Sequence, residues 1–291
     1  MKKINYIFGL IGIVLISFQC QPDPLDITLP EYEPSLVVAS QVLPGKIMFI
    51  GLTRSFTVLS SAGSKGSGDS STFSNVLVDS AFVSIEHSGE VDTLINISPG
   101  LFASLKPLDN PGVNYTLKVT DYMLNKSITA SAEMLESVKF DTVYPVINNN
   151  LNDTVVTIHA EMTDDPMDNN FYMINVYSRN ILNDGLDLNS FFTNGENKIQ
   201  STILYNDTEL KNLDYKIDIN LEKVGTKDSI AVALSNISES YYEFLKKREK
   251  SGNIFTELTN EPINYPSNIN GGLGFFNTHF PDVEYFDLNE Y

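Results

Sequence analysis

Few side chains in this sequence could carry chemistry: three histidines, one cysteine and a large stock of carboxylates. A serine hydrolase needs a nucleophile, a base and an orienting acid, and the Gly-x-Ser-x-Gly turn that presents such a serine is absent. His87, His159 and His279 fall in separate segments, so a hydrolytic site would require the fold to bring His159 or His279 beside a serine and an acid. A glycosidase uses two carboxylates, and with 37 Asp plus Glu no pair stands out. The densest set of hard oxygen ligands is Asp164, Asp165 and Asp168 with Asn169 and Asn170, which suits Ca²⁺ by donor type. It departs from the calcium-loop pattern, because Pro166 takes the third place and no Gly takes the sixth. Asp, Asn and Pro are also what turns between strands are made of. Gly66-Ser67-Gly68 lacks the third glycine and the Lys-Ser/Thr ending of a phosphate loop. The expectation is no metal, no cofactor and no enzymatic activity.

The cysteine has the most informative surroundings. Lys2 and Lys3 precede an apolar run from Ile4 to Phe18, and Cys20 follows Gln19 directly after it. That is the profile of a secretion signal, and the run is shorter than the roughly 20 residues a helix needs to cross a bilayer. Residues 1–19 therefore read as a signal peptide and Cys20 as the acylated first residue of a lipoprotein, although Ser17 and Gln19 stand where such signals usually carry Leu and a small residue. Acyl burial at about 0.8 kcal/mol per methylene holds a protein to a membrane without spanning it. Residues 20–34 read as a tether broken by Pro22, Pro24, Pro30 and Pro34. At about 3.1 Å per residue in the polyproline conformation it reaches roughly 40 Å.

Acids outnumber bases by 37 to 19, and removal of Lys2 and Lys3 with the signal makes the mature chain more acidic still. Such a balance excludes nucleic acid bound through its phosphates. One Cys and no Trp leave no disulfide framework and no thiolate metal cluster. A hydrophobic fraction of 42% over 291 residues supports two domains.

From Ser35 onward the pattern is all-β. Residues 36–39, 46–53, 81–86, 91–97, 100–103, 115–119 and 127–132 are candidate strands bounded by turn residues, which is the count of an immunoglobulin-like sandwich over 35–137. In Asn114 to Thr120 the apolar Tyr115, Leu117 and Val119 alternate with polar residues, so one face is buried and the other wet. A boundary falls near Leu135 to Asp141, and a second β domain over 138–291 has strands at 155–162, 171–177, 199–205, 213–224 and 229–234. It carries one helix near 237–250. Asn236 with Glu239 has the spacing of a helix cap; Tyr241, Phe244 and Leu245 share one face; Lys246, Lys247, Arg248 and Lys250 suit the negative end of the dipole. The tail holds Tyr265, Phe275, Phe276, Phe280, Tyr285 and Phe286, with Gly271, Gly272 and Gly274 free to turn Phe275 and Phe276 back onto a sheet. Packing and a ligand-lined surface are both open to these aromatics.

With these residues set out, the chain resembles a family of Bacteroidota cell-envelope lipoproteins known as domain of unknown function 4249. The resemblance rests on Pro34-Ser35-Leu36-Val37-Val38 after an acidic tether, Gly51-Leu52-Thr53-Arg54-Ser55, Asp79-Ser80-Ala81-Phe82-Val83 and Asn114 to Val119. It continues in Asp164-Asp165-Pro166, in Tyr241-Tyr242-Glu243-Phe244-Leu245 and in Asn264 to Phe276. It implies an outer-membrane-associated lipoprotein with two β modules, encoded near TonB-dependent receptors. The expected role is that of a non-enzymatic accessory to such a transporter in nutrient capture; the alternative is a structural or adhesive surface module. The resemblance further suggests O-glycans on Asp-Ser/Thr-aliphatic tripeptides, at Ser80, Thr93, Thr142, Thr154 or Ser229, each of which also reads as a turn Asp leading into a strand.

Overall fold

The computed structural model describes residues 33–55, 76–150, 153–164, 169–178, 199–206, 214–221, 224–226, 228–251 and 265–291. Two patterns of burial sort its strands. Some alternate between wet and buried residues, and others are buried on both faces.

The first module is a sandwich of two five-stranded sheets. One contains β1 (Leu36–Val42), β2 (Met48–Arg54), β5 (Ile95–Ser98), β6 (Leu101–Ala103) and β16 (Leu273–Phe275), in the order β16-β1-β2-β6-β5. The other contains β3 (Ala81–His87), β4 (Glu90–Thr93), β7 (Val113–Asp121), β8 (Lys126–Met134) and β15 (Ile269–Asn270), in the order β15-β8-β7-β3-β4. Leu36, Val38, Met48, Ile50 and Leu52 from the first meet Val83, Ile85, Tyr115, Leu117, Val119 and Ile128 from the second. Burying each such side chain contributes roughly 1.5–3 kcal/mol. The segment 91–97, expected as one strand, is two. Leu94 is buried and its N–H bonds the Val83 carbonyl at 2.9 Å, so the chain leaves one sheet there and enters the other.

The second module pairs a three-stranded sheet with a four-stranded one. The former is β13-β10-β9, from β9 (Thr142–Asn150), β10 (Asp153–Thr163) and β13 (Asp214–Leu221). The latter is β12-β11-β14-β17, from β11 (Phe171–Ser178), β12 (Ile199–Asn206), β14 (Ser229–Asn236) and β17 (Asp282–Asp287). Strand β9 was not foreseen. It contains Pro145, which cannot donate to a ladder, and it lies at a sheet edge, where a proline is tolerated. The all-β, sandwich-like expectation holds for both modules.

The two modules meet through the outer faces of their inner sheets. Leu43, Phe49, Leu101 and Ala103 of the first pack on Tyr177, Ala231 and Ala233 of the second. That contact explains why all seven residues of β2 are buried, and why β14 is buried except at its ends. Both read in sequence as continuous apolar runs, as strands covered on two faces do. Strands β7 and β8 belong to an outer sheet, and they alternate.

The remaining part of the inner face is covered by α1 (Glu239–Ser251). Its cap differs from the sequence expectation. Asn236 is the last residue of β14, and the Ser238 hydroxyl accepts the N–H of Tyr241 at 3.3 Å. Tyr241, Tyr242 and Phe244 then pack on Met173, Leu204 and Phe275.

The tail corrects the expectation that everything after 138 belongs to the second module. Strand β15 pairs with β8, and β16 pairs in parallel with β1. Phe276 is fully buried in the first core, while Phe275, on the opposite side, packs under α1. The Asn268 side chain closes the loop between them, accepting the N–H of Phe276 at 2.9 Å and donating to its carbonyl at 2.7 Å. The chain then continues into β17 of the second module. The carboxylate of Asp282 accepts the N–H of Phe140 at 2.9 Å, joining the two stretches of chain that run between the modules.

Gly274 sets how closely β16 can approach. A Cβ there would lie 1.9 Å from the Val38 carbonyl oxygen, at a φ of 95°. Gly274→Ala is expected to destabilise the protein by about 3 kcal/mol or more in urea unfolding. Gly89→Ala, with a φ of 81° but open space, should lose about 1 kcal/mol. Gly45→Ala, with nothing within 4 Å, should stay within about 0.5 kcal/mol of the wild type. Equal stability of the Gly274 and Gly45 variants would refute the close approach.

Candidate functional site

Each histidine sits in a different environment. His159 is on β10, in the exposed face of the three-stranded sheet, directly opposite Asp218 on β13 and Tyr144 on β9. Its Nδ1 donates to the Asp218 carboxylate at 2.6 Å, and its ring stacks on Tyr144 at 5.3 Å between centroids. Flanking rows continue the pattern: Lys216 donates to Glu161 at 2.7 Å, and Thr157 donates to Asn220 at 2.9 Å. An imidazole oriented by a carboxylate is two-thirds of a hydrolytic triad. Among the described residues, no serine or threonine hydroxyl bonds any histidine ring, so the third part is not supplied here.

His87 is buried in the first module. Its Nε2 donates to Asp92 at 3.0 Å, its ring lies 4.7 Å from that of Tyr115, and its Nδ1 is buried with no hydrogen-bond partner among the described residues. The bond from His87 holds the Asp92 carboxyl below the usual carboxylate range, and Lys106 at 3.5 Å adds to this against the effect of burial. A buried acceptor left unpaired costs about 1–3 kcal/mol.

His279 is also buried, and both its ring nitrogens are used. The Asn277 amide donates to Nδ1 at 3.2 Å, which leaves the other nitrogen to donate to the Val42 carbonyl. Asn277 is itself fixed to β1, its N–H donating to the Ser40 hydroxyl at 2.7 Å. A neutral imidazole satisfies this set of partners and a charged one does not. Burial therefore drives the His279 pKa down to about 4, and the bond to the Val42 carbonyl only partly offsets it.

Of the candidate calcium ligands, Asp165 and Asp168 lie outside the described residues. Asp164 is buried and accepts hydrogen bonds from the Tyr172 hydroxyl and, at 3.3 Å, the Asn170 amide. The first of these bonds ties the end of β10 to β11. Among the described residues, no group of three His, Cys, Asp or Glu side chains is placed to hold a metal ion.

Ser80, Thr93 and Thr142 are exposed and Ser229 is half-buried; the side chain of Thr154 lies outside the described set. The aspartates before three of them accept hydrogen bonds. Asp79 accepts the N–H of Gly100 at 2.8 Å, Asp141 accepts the Thr163 hydroxyl at 2.7 Å, and Asp228 accepts the N–H of Gly225 at 2.7 Å.

A buried ion pair that sequence reasoning missed ties the two sheets of the first module. Arg54 on β2 donates from Nε to Asp121 on β7 at 2.8 Å and from a second nitrogen at 3.0 Å. Burial alone would raise the Asp121 pKa. Arg54, with the amides of Met123 and Leu124, outweighs it and holds the carboxyl below the usual value. The sequence clue was an Arg inside the run Gly51-Leu52-Thr53-Arg54, where an unpaired charge would not be tolerated.

The sequence model of a family described as domain of unknown function (DUF4249) matches residues 22–279. The chain belongs to that family. No curated protein matches the chain. The DUF4249 span takes in the first sandwich with its returning strands β15 and β16 and the second sandwich up to but not including β17, so the tail that closes the first module is part of the family unit.

His279 gives a pH dependence with a definite sign. The unfolded chain binds the histidine proton near 6.5 and the folded protein near 4. Its contribution is therefore complete above about pH 6.5 and is lost as pH falls toward 4, by about 3 kcal/mol in all. His279→Gln should flatten this part of the stability profile in urea unfolding from pH 7 to pH 4. An unchanged slope would show that another group carries the titration.

Proposed function

We propose that this is a Bacteroidota envelope lipoprotein, acylated on Cys20, whose body acts without catalysis as an accessory to a TonB-dependent outer-membrane receptor in nutrient capture. The observation that carries the reading is the place of Cys20. It is the chain's single cysteine, it follows the apolar run 4–18, and it precedes a proline-rich segment that ends at Pro34, where the compact unit begins. Among the described residues no helix is long and apolar enough to cross a membrane, which is compatible with attachment by lipid. The acidic balance of 37 to 19 favours partners other than nucleic acid.

A second reading, a structural or adhesive surface module, is favoured by the tail aromatics. Tyr265 and Phe275 of the tail lie against Tyr241 and Phe244 of α1, with ring centroids 5.1–5.9 Å apart, and fill the space beneath the helix, so they serve packing.

Palmitate labelling of the wild type and of Cys20→Ala tests the anchor; label is expected on the first alone, and equal labelling sinks it. Affinity purification from detergent-solubilised envelope is expected to bring a TonB-dependent receptor with the protein. Recovery of the body without any transporter overturns the accessory role. Within the same reading, exposed Ser80, Thr93 and Thr142 are the positions for O-glycans, and an intact mass free of hexose-sized additions removes them.

A further inference from the structure

The end of the first module at which the chain enters carries large apolar side chains that packing does not use. The hairpin between β7 and β8 is Tyr122-Met123-Leu124-Asn125, where turn chemistry favours Gly, Asn, Asp and Ser. Tyr122 is 64% and Met123 70% exposed. Phe82, one residue inside this end on β3, and Leu273, paired with Val37 near the start of β1, are also exposed.

The tip is firmly held. The carboxylate of Asp121 accepts the N–H of Met123 at 2.8 Å while paired with Arg54, and the N–H of Tyr122 bonds the Ser80 carbonyl at 3.3 Å. Asn125 completes the turn at a φ of 50°. Two apolar side chains are thus projected outward by a rigid turn.

Where the tip lies decides what it meets. Lys126, the first residue of β8, donates to the carbonyl of Pro34 at 3.1 Å, so the hairpin stands beside the point at which the chain joins the body. Ser35 and Ser55 are bonded to each other at the same end. The second module packs on Leu43, Phe49 and Ala103, toward the other end of the inner sheet. Cys20 precedes Pro34 by 14 residues, which bounds their separation at about 50 Å for a fully extended chain. A surface tethered at that distance from its target meets it at an effective concentration on the order of millimolar, so a small contact suffices. An aromatic ring with a hydroxyl, beside a flexible thioether, suits the headgroup boundary of a bilayer. The excess of 37 acids over 17 bases, once Lys2 and Lys3 leave with the signal, favours zwitterionic over anionic lipid.

We propose that the β7–β8 tip, Tyr122 and Met123 with Phe82 and Leu273 beside them, is a membrane-contact surface that rests on the phospholipid headgroup layer holding the anchor. This rests on the reading of Cys20 as acylated. It gives the body a fixed orientation, with the second module and the exposed Tyr144–His159–Asp218 row held off the bilayer.

The test uses the full acylated chain reconstituted into phosphatidylcholine vesicles. Acylation occupies the thiol of Cys20, the single cysteine, so Met123→Cys or Leu105→Cys supplies the one site for a polarity-sensitive fluorophore. Leu105 is 69% exposed at the opposite end of the module and serves as control. In material that floats with vesicles, the label at 123 is expected to shift to the blue and to be quenched several-fold more by lipid-borne nitroxide than the label at 105. Adding Tyr122→Asp and Leu273→Asp should return the label at 123 to its aqueous spectrum while flotation persists. Flotation with both labels equally aqueous overturns the membrane contact and leaves the anchor standing. A shift that needs added envelope protein assigns the tip to a protein partner and also overturns it. A wild-type chain that does not float refutes the anchor, and this inference falls with it.

Discussion

The approach of β16 to β1 holds the two halves of this protein together. Two backbones lie so close at Gly274 and Val38 that no side chain fits between them, and the strand that results is only three residues long. Its neighbours multiply the effect. Phe276 enters the core of the first module and Phe275 supports α1 on the other side. Asn277 and His279 then bind Ser40 and Val42 on the same β1 strand. A segment far along the chain thus completes both sheets of the first sandwich before supplying β17 to the second. Contacts of such long sequence separation slow folding, because loop-closure entropy is lost before they contribute.

Closure has a second consequence, for sheet edges. At one side of the first sandwich the chain passes from β4 to β5 at Leu94, and at the other from β15 to β16 at Gly271 and Gly272. Each passage joins an edge of one sheet to an edge of its partner. Open edges invite pairing with other chains, and a connection across them shields their ends. The short lengths of β15 and β16, two and three residues, fit this task of edge closure.

Much of this was legible in the sequence, and the exceptions share a cause. Alternation in Asn114 to Thr120 identified β7 with its wet face, and the continuous run Ile230-Ala231-Val232-Ala233-Leu234 identified β14. Glycines 271, 272 and 274 beside Phe275 and Phe276 pointed to a return of the tail, which the fold bears out. The sheet that receives it was beyond reach, because strands of two or three residues are shorter than any period can register. The same limit hid the break at Leu94, where an apolar residue suits either sheet. Chemistry was less legible than fold. His87, His159 and His279 read alike in sequence, yet their bonding depends on Asp92, Asp218 and Asn277, of which only Asp92 and Asn277 are near in the chain.

The route by which force or restraint at the amino-terminal end enters the body follows from the same topology. A chain end is usually loosely held unless it begins within a sheet. Here Pro34 leads at once into β1, which is flanked on one side by β2 and on the other by β16. Residues 36–42 pair along their whole length with 48–54, and 37–39 pair again with 273–275. A pull directed along β1 therefore loads these bonds side by side instead of opening them in succession from one end. The buried Arg54–Asp121 pair lies at the same end and binds the β2 sheet to the β7 sheet, so displacement of the first sheet must also separate a desolvated charge pair. The end of the body at which β1 begins is thus cross-connected by two ladders and a buried ion pair.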